Sequence, residues 1–317
     1  MGETGESFAK RVHRTRGLRP RRARRTGALR LPDFIAVGPP RTGTTWLDRV
    51  LRGHVGLPAE VKETQFFVWN YRLGLDWYRA FFRECAPGIP VGEIAPTYFD
   101  QPPARERIAA TLPNCKVICS LRDPVVRAYS QYKTWHRSGL VEGPFDYERQ
   151  ARRLGANGSY AANVKAWHAA LGQEQVLVQI YEDLASDRQA YLDAFCAFAG
   201  IERIVLEGSE FGEGKINPSD QTPRSLRLAR AGGRLRTWST RHPALGIAQR
   251  LEQGTPLWRF FFAGGPNYPR LDPEVEANLR EKLRPEVEEL EELLGRDLTV
   301  WKTPRALRSV DATVAGG

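Results

Sequence analysis

Residues 33 to 47 read DFIAVGPPRTGTTWL, an apolar run, a turn rich in Gly and Pro, and the start of a helical pattern. A run of this length rich in Ile, Val and Phe suits a strand buried on both faces, as in a parallel sheet. Parallel strands cannot be joined by a tight turn and need crossovers of a dozen or more residues, usually helical. The rest of the chain supplies them. Further strand-like runs lie at 91 to 94 (VGEI), 116 to 121 (KVICSL) and 175 to 180 (QVLVQI). Between and around them are helical patterns at 44 to 53, 74 to 85, 103 to 111 after Pro102 and Pro103, 124 to 136 after Pro124, 159 to 171, and 186 to 199. The expected fold is α/β, a parallel sheet flanked by helices on both faces.

The turn itself, Gly38-Pro39-Pro40-Arg41-Thr42-Gly43-Thr44-Thr45, is an anion cradle. Its backbone N–H groups and the positive end of the following helix dipole face one point. Thr44 and Thr45 add hydroxyl donors, and Arg41 adds a planar cation that can hold two oxygens at once. The spacing is P-loop-like, GxxxxGTT in place of GxxxxGK[ST], with Thr44 where the lysine would stand. A kinase needs that lysine and a bridging Mg²⁺ because its transferred phosphates are highly charged, whereas a sulfuryl group carries much less charge. A P-loop nucleoside or small-molecule kinase and a non-catalytic nucleotide-binding protein remain the alternatives.

PPRTGTTWL resembles the 5′-phosphosulfate loop of sulfotransferases that use 3′-phosphoadenosine 5′-phosphosulfate (PAPS), usually written with Lys at the Arg41 position. The resemblance implies Arg41, Thr42, Gly43, Thr44 and Thr45 around the 5′-phosphate, with Trp46 also among the cofactor-binding residues. Residues 122 to 130, RDPVVRAYS, are similar to the family's 3′-phosphate motif, which implies Arg122 and Ser130 on that phosphate. Tyr181 in YEDL resembles an adenine-side motif, and Lys215 and Asn217 in GKINPSD resemble a loop that closes over the 3′-phosphate. The resemblance spans most of residues 31 to 301, ending at LLGRDLTVW.

An acceptor oxygen must lose a proton as sulfur bonds to it, so a base belongs near the transferring group. Residues 60 to 69, EVKETQFFVW, and the following GLDWY resemble the heparan-sulfate branch of the family, which implies Glu63 as base. Lys62 would bridge the sulfuryl oxygens or keep Glu63 ionised. Other relatives use a His after a later strand, but VGEIAPTYF, residues 91 to 99, contains none. His136 is the next candidate. Ile94 and Gln65 stand where the heparan-sulfate enzymes carry Lys and often His, which argues against a heavily sulfated polysaccharide acceptor. Phe66, Phe67, Trp69, Tyr98 and Trp135 are candidates for an acceptor pocket, with the core as the alternative for each. The expected acceptor is a hydroxyl, ahead of an amine, on a small molecule, lipid or carbohydrate.

The net charge of +10 invites a nucleic-acid reading, but its location argues otherwise. The first 30 residues hold ten basic side chains against two acidic ones, leaving the body near neutrality. That stretch reads as a disordered arm, 1 to 30, capable of weak contact with an anionic surface, with no specific nucleic-acid partner expected. A catalytic domain at 31 to 302 and a flexible tail at 303 to 317 complete the organisation. No apolar run reaches the ~18 residues of a membrane span and no signal-peptide core follows the basic stretch, so a soluble, cytoplasmic protein is expected. The four cysteines form no CxxC pair and the five histidines show no ligand spacing, so no metal is expected. Cys115 and Cys119 read as buried strand residues. Two further expectations are a long functional loop at 212 to 240 and a C-terminal pair of helices broken at Pro285. The oligomeric state is left open.

Overall fold

The computed structural model describes residues 30–59, 61–154, 159–206, 221–239 and 255–304. Four short strands, β1 (Phe34–Ala36), β2 (Gly92–Ile94), β3 (Lys116–Leu121) and β4 (Val176–Ile180), form a parallel sheet in the order β2-β1-β3-β4. The crossovers carry α1 (Thr44–Leu51), α2 (Leu75–Arg79), α3 (Pro102–Thr111), α4 (Pro124–Arg137), α5 (Tyr147–Leu154) and α6 (Tyr160–Leu171), and α7 (Tyr181–Ser186) and α8 (Arg188–Ala199) follow β4. An antiparallel ribbon of β5 (Gln221–Pro223) and β6 (Gly264–Asn267) accompanies α9 (Leu226–Ser239) and α10 (Pro256–Phe262). Helices α11 (Pro273–Leu294) and α12 (Thr299–Lys302) close the described chain.

The period of two along each strand sends alternate side chains to opposite faces, which makes two cores. Ile35, Val37, Val117 and Cys119 pack with Ile108 of α3, Trp167 of α6, and Val287 and Leu290 of α11. Phe34, Ala36 and Ile118 pack with Leu47 and Val50 of α1 and with Leu192 and Phe195 of α8. Burying each such side chain fully contributes roughly 1.5–3 kcal/mol. Gly92 is required where β1 and β2 pair, because a Cβ there would lie 2.1 Å from the Phe34 ring. Cys115 and Cys119 are buried thiols as expected, with burial pushing both far up in pKa.

Two expectations are corrected. The C-terminal segment is one continuous helix, α11, with Pro285 inside it. Pro285 is exposed while Leu283, Val287 and Leu290 continue the buried stripe. The hydrogen bond it cannot donate is therefore lost on the solvent side, where the carbonyl left without that donor is open to water and the buried stripe is undisturbed. The segment 212 to 240 is not one loop: residues 207–220 lie outside the described residues, and from 221 onward it forms β5 and α9. The Ser225 carbonyl accepts the first helical bond, from Ala229 at 2.9 Å, and Gly232 lets α9 approach Phe261, whose ring a Cβ would meet at 2.7 Å. Gly232, read in the sequence as part of a loop, thus serves close packing of helix on helix.

Candidate functional site

β1 runs straight into the turn at 38–43, and the turn is shaped by its neighbours. A Cβ on Gly38 would sit 2.5 Å from the Ser120 backbone of β3, and one on Gly43 (φ 86) would press at 3.0 Å on the Tyr181 ring and Leu184. The Thr42 hydroxyl donates to the Pro39 carbonyl at 2.8 Å and ties the turn shut. Arg41 adopts a left-handed backbone (φ 80), costing a non-glycine residue on the order of 1–2 kcal/mol. That strain persists where the surroundings impose it, which is common at binding loops.

The second motif meets the first. Arg122 Nη1 donates to the Arg41 carbonyl at 3.0 Å, and Arg41 Nε donates to the Ser130 hydroxyl at 3.0 Å. The Arg122 guanidinium lies 4.4 Å over the Tyr181 ring at the start of α7. Residues more than 80 positions apart thus form one cluster. Its charge is visible in Arg41, whose pKa is lowered to about 10, first by burial and then by the Arg137 and Arg122 cations, with the Tyr181 phenol opposing. Positive charge gathered at this density is suited to a multiply charged anion.

Asp123 fixes where α4 begins. Its carboxylate caps the helix by accepting from the Val125 and Val126 N–H groups at 3.0 and 3.2 Å, and it pairs with Arg280 of α11 at 3.0 Å. Arg280 is itself buried and also pairs with Glu276 at 2.7 Å. Removing one member would leave buried charge uncompensated, at a cost of about 3–5 kcal/mol. Glu182 adds a bond from the Asp123 N–H at 3.1 Å.

The other side of the site follows α1. Lys62 Nζ donates to the Thr44 hydroxyl at 3.3 Å and lies 4.0 Å from Glu63 Oε1, so it joins the glycine turn to the carboxylate. Glu63 Oε2 accepts from Gln65 Nε2 at 2.7 Å and, at 3.5 Å, from the Thr97 hydroxyl. Thr97 donates also to Gln65 Oε1 at 2.7 Å. Gln65 is the second non-glycine with a left-handed backbone (φ 55), and a π-helical turn, Phe66–Asn70, starts directly after it. Both features are over-represented at functional sites.

Of the residues singled out in the sequence, Arg41, Thr44, Lys62, Glu63, Arg122, Ser130 and Tyr181 fall in this connected group. Lys215 and Asn217 lie outside the described residues. Trp46 is buried in the second core against Tyr191, ring centroids 6.3 Å apart. Phe66, Phe67 and Tyr98 are fully buried in the first core, Phe66 stacked on Tyr78 and Phe67 edge-on to both Tyr78 and Tyr98, and are not pocket walls. Ile94 is likewise core, packed beside Phe34 and Ala36, so its side chain does not decide the charge of an acceptor cleft. His136 is engaged with the Tyr268 hydroxyl at 2.8 Å, and burial lowers its pKa. Arg137 was missed in the sequence, although it lies two helical turns from Ser130 on the same face of α4. Among the described residues no cluster of three or more His, Cys, Asp or Glu side chains is arranged to hold a metal. No helix among them is long and apolar enough to cross a membrane.

A family model described as a sulfotransferase domain matches residues 31–233. The chain is 28% identical over 285 residues to the human heparan sulfate glucosamine 3-O-sulfotransferase 3B1, covering 86% of this chain and 65% of that protein. It is 31% identical over 195 residues to the mouse bifunctional heparan sulfate N-deacetylase/N-sulfotransferase 4, covering 54% of this chain and 22% of that protein. The chain therefore spans about a fifth to two thirds of the length of these relatives. The crystal structure of a sulfotransferase from Alicyclobacillus acidocaldarius superposes with a TM-score of 0.61 at 22% identity, over 86% of this chain and all of that one, which establishes a shared fold.

Proposed function

The chain belongs to the sulfotransferase domain family, and from that premise we propose that it transfers a sulfuryl group from PAPS to an acceptor hydroxyl, with Glu63 as the general base. The observation that carries this reading is the junction at Arg41. One side chain ties the glycine turn to Ser130, and its carbonyl ties the turn to Arg122. A donor with separate 5′ and 3′ phosphates has two anionic ends for those two motifs, whereas ATP carries its charge on one chain of phosphates.

In the proposed reaction the acceptor oxygen bonds to sulfur while the bond from sulfur to the 5′-phosphate oxygen breaks, and adenosine 3′,5′-bisphosphate leaves. Glu63 takes the acceptor proton. Arg41, the Thr44 and Thr45 hydroxyls and the turn amides stabilise the charge that grows on the departing phosphate, where preorganised donors act most strongly. Lys62, between Thr44 and Glu63, neutralises the sulfuryl oxygens and holds the base near them. Residues 31 to 302 are taken as the catalytic unit. The four cysteines are unpaired thiols, which supports a reducing, cytoplasmic setting.

The test is turnover of PAPS with a panel of hydroxyl and amine acceptors, followed by mass spectrometry. The reading requires adenosine 3′,5′-bisphosphate and a sulfated acceptor in equal amounts. Stoichiometric sulfation of amines with hydroxyls untouched would revise the acceptor, and no turnover of PAPS with any acceptor or with water would reject the reading.

A further inference from the structure

Behind Glu63 lies a second carboxylate on which no function has been placed. Glu93 is on β2, paired in register with Ile35, so its side chain enters the aromatic core face with 0% exposure. A carboxylate there is costly unless its oxygens are satisfied. Its Oε1 accepts from the Thr64 N–H at 2.6 Å and the Thr64 hydroxyl at 2.7 Å, and its Oε2 accepts from the Tyr78 hydroxyl at 2.7 Å. The Tyr98 hydroxyl adds a longer contact at 3.4 Å. The Thr64 carbonyl accepts from Asn70 Nδ2 at 2.8 Å. Every polar group of Thr64 is therefore held, between Glu63 on one side and the left-handed Gln65 on the other.

We propose that Glu93 is a positioning residue, which grips Thr64 through its backbone and hydroxyl and so holds the strained turn that presents Glu63 to the acceptor. The proposal rests on the reading of Glu63 as base. A turn with a left-handed glutamine followed at once by a π-helical turn needs an anchor, because ordinary backbone preferences oppose it. Core packing alone would call for an apolar side chain at this position; a carboxylate whose Oε1 takes both the N–H and the hydroxyl of Thr64, while Tyr78 holds Oε2, is explained by the loop it holds. The burial of Glu93 also pushes its pKa up to about 7, with Thr64 and Tyr78 opposing. Tyr78, Tyr98, Cys115 and Glu63 are the titratable neighbours that face it.

A double-mutant cycle on the full chain tests this, with release of inorganic sulfate from PAPS to water as the readout. Water serves as the acceptor, its proton passing to Glu63, so no natural acceptor is needed. Glu93→Gln keeps the shape and weakens the grip, and single-turnover sulfate release should slow about tenfold to a hundredfold. Affinity for adenosine 3′,5′-bisphosphate should stay unchanged. In the Glu63→Gln background the same substitution should produce no further slowing, because there is no base left to position. Equal slowing in both backgrounds, or loss of nucleotide affinity in step with rate, would overturn the proposal. If Glu93→Gln does not fold, Thr64→Val carries the same cycle, since it removes only the hydroxyl that bonds Oε1. A Glu63→Gln protein with the parent rate is a separate result, which removes the base assignment itself and the proposal with it.

Discussion

In the proposed reaction, the donor half and the acceptor half of the site are built on opposite principles. On the donor side, two strand–turn–helix units bring backbone amides and the arginines 41, 122 and 137 to one cluster, where burial and like charge both disfavour the Arg41 cation and the Tyr181 ring under Arg122 partly offsets them. On the acceptor side a single carboxylate, Glu63, stands on a strained turn, and its support is another carboxylate, Glu93, buried in the aromatic core. Holding a polyanion takes redundant charge, so losing one contact weakens binding by degrees. Accepting a proton takes one group in one place, so losing it or its position stops the chemistry while binding survives.

That contrast makes its largest prediction at Glu63. Glu63→Gln preserves size and packing but cannot accept the acceptor proton, so kcat should fall about 10²- to 10⁴-fold. Calorimetric affinity for adenosine 3′,5′-bisphosphate should stay within about twofold of the parent protein. A parallel loss of affinity would mean that the two halves are not separable.

The buried acceptor-side carboxylate has a pH signature. Glu93 has a folded pKa near 7 against 4.5 for an ordinary glutamate. The folded state therefore binds more protons than the unfolded state between those values, and stability falls as pH rises through that window. The penalty is absent below it and complete above it. Compared with Glu93→Gln, which does not titrate, the parent protein should lose roughly 3 kcal/mol across the window in urea melts. A stability difference that is flat with pH would show that Glu93 is paired in some further way and is not under strain.

On the donor side the expected effect is smaller and falls on affinity. Arg122→Ala removes a charge-assisted phosphate contact, about 1.5–3 kcal/mol, so the adenosine 3′,5′-bisphosphate Kd should rise on the order of tenfold to a hundredfold. AMP, which lacks the 3′-phosphate, should bind parent and variant alike. An equal loss for both nucleotides would detach Arg122 from the 3′-phosphate and blur the division between the two motifs.

Legibility follows the same division. The donor side is readable because each part is local: GPPRTGTT and RDPVVRAYS carry their turn, cation and helix start within a few residues, and the parallel sheet that joins them follows from the alternation of strands and helices. What joins them in space, Arg41 on Ser130 and Arg122 on the Arg41 carbonyl, is tertiary and has no signature in sequence. The acceptor side shows its carboxylate, Glu63, but not its support. The sign of Glu93 is present as a lone charge inside the apolar run VGEIA; it passes unnoticed because a single carboxylate in a short run also fits an exposed edge. Pro285 and the glycines of α9 mislead for a related reason, since their cost depends on which side of a helix faces solvent or a neighbour, and local sequence does not specify that.

The central claim, that two converging anion sites serve PAPS and not a nucleoside triphosphate, is tested most directly by offering both donors to one enzyme. Parent protein is incubated with equal PAPS and ATP, with and without a divalent-ion chelator, and the nucleotide products are resolved by chromatography. PAPS should be converted to adenosine 3′,5′-bisphosphate at the same rate with the chelator present, because arginines and turn amides supply the stabilising charge, and ATP should be untouched. Conversion of ATP to ADP that stops with the chelator and returns with Mg²⁺, while PAPS persists, would contradict it.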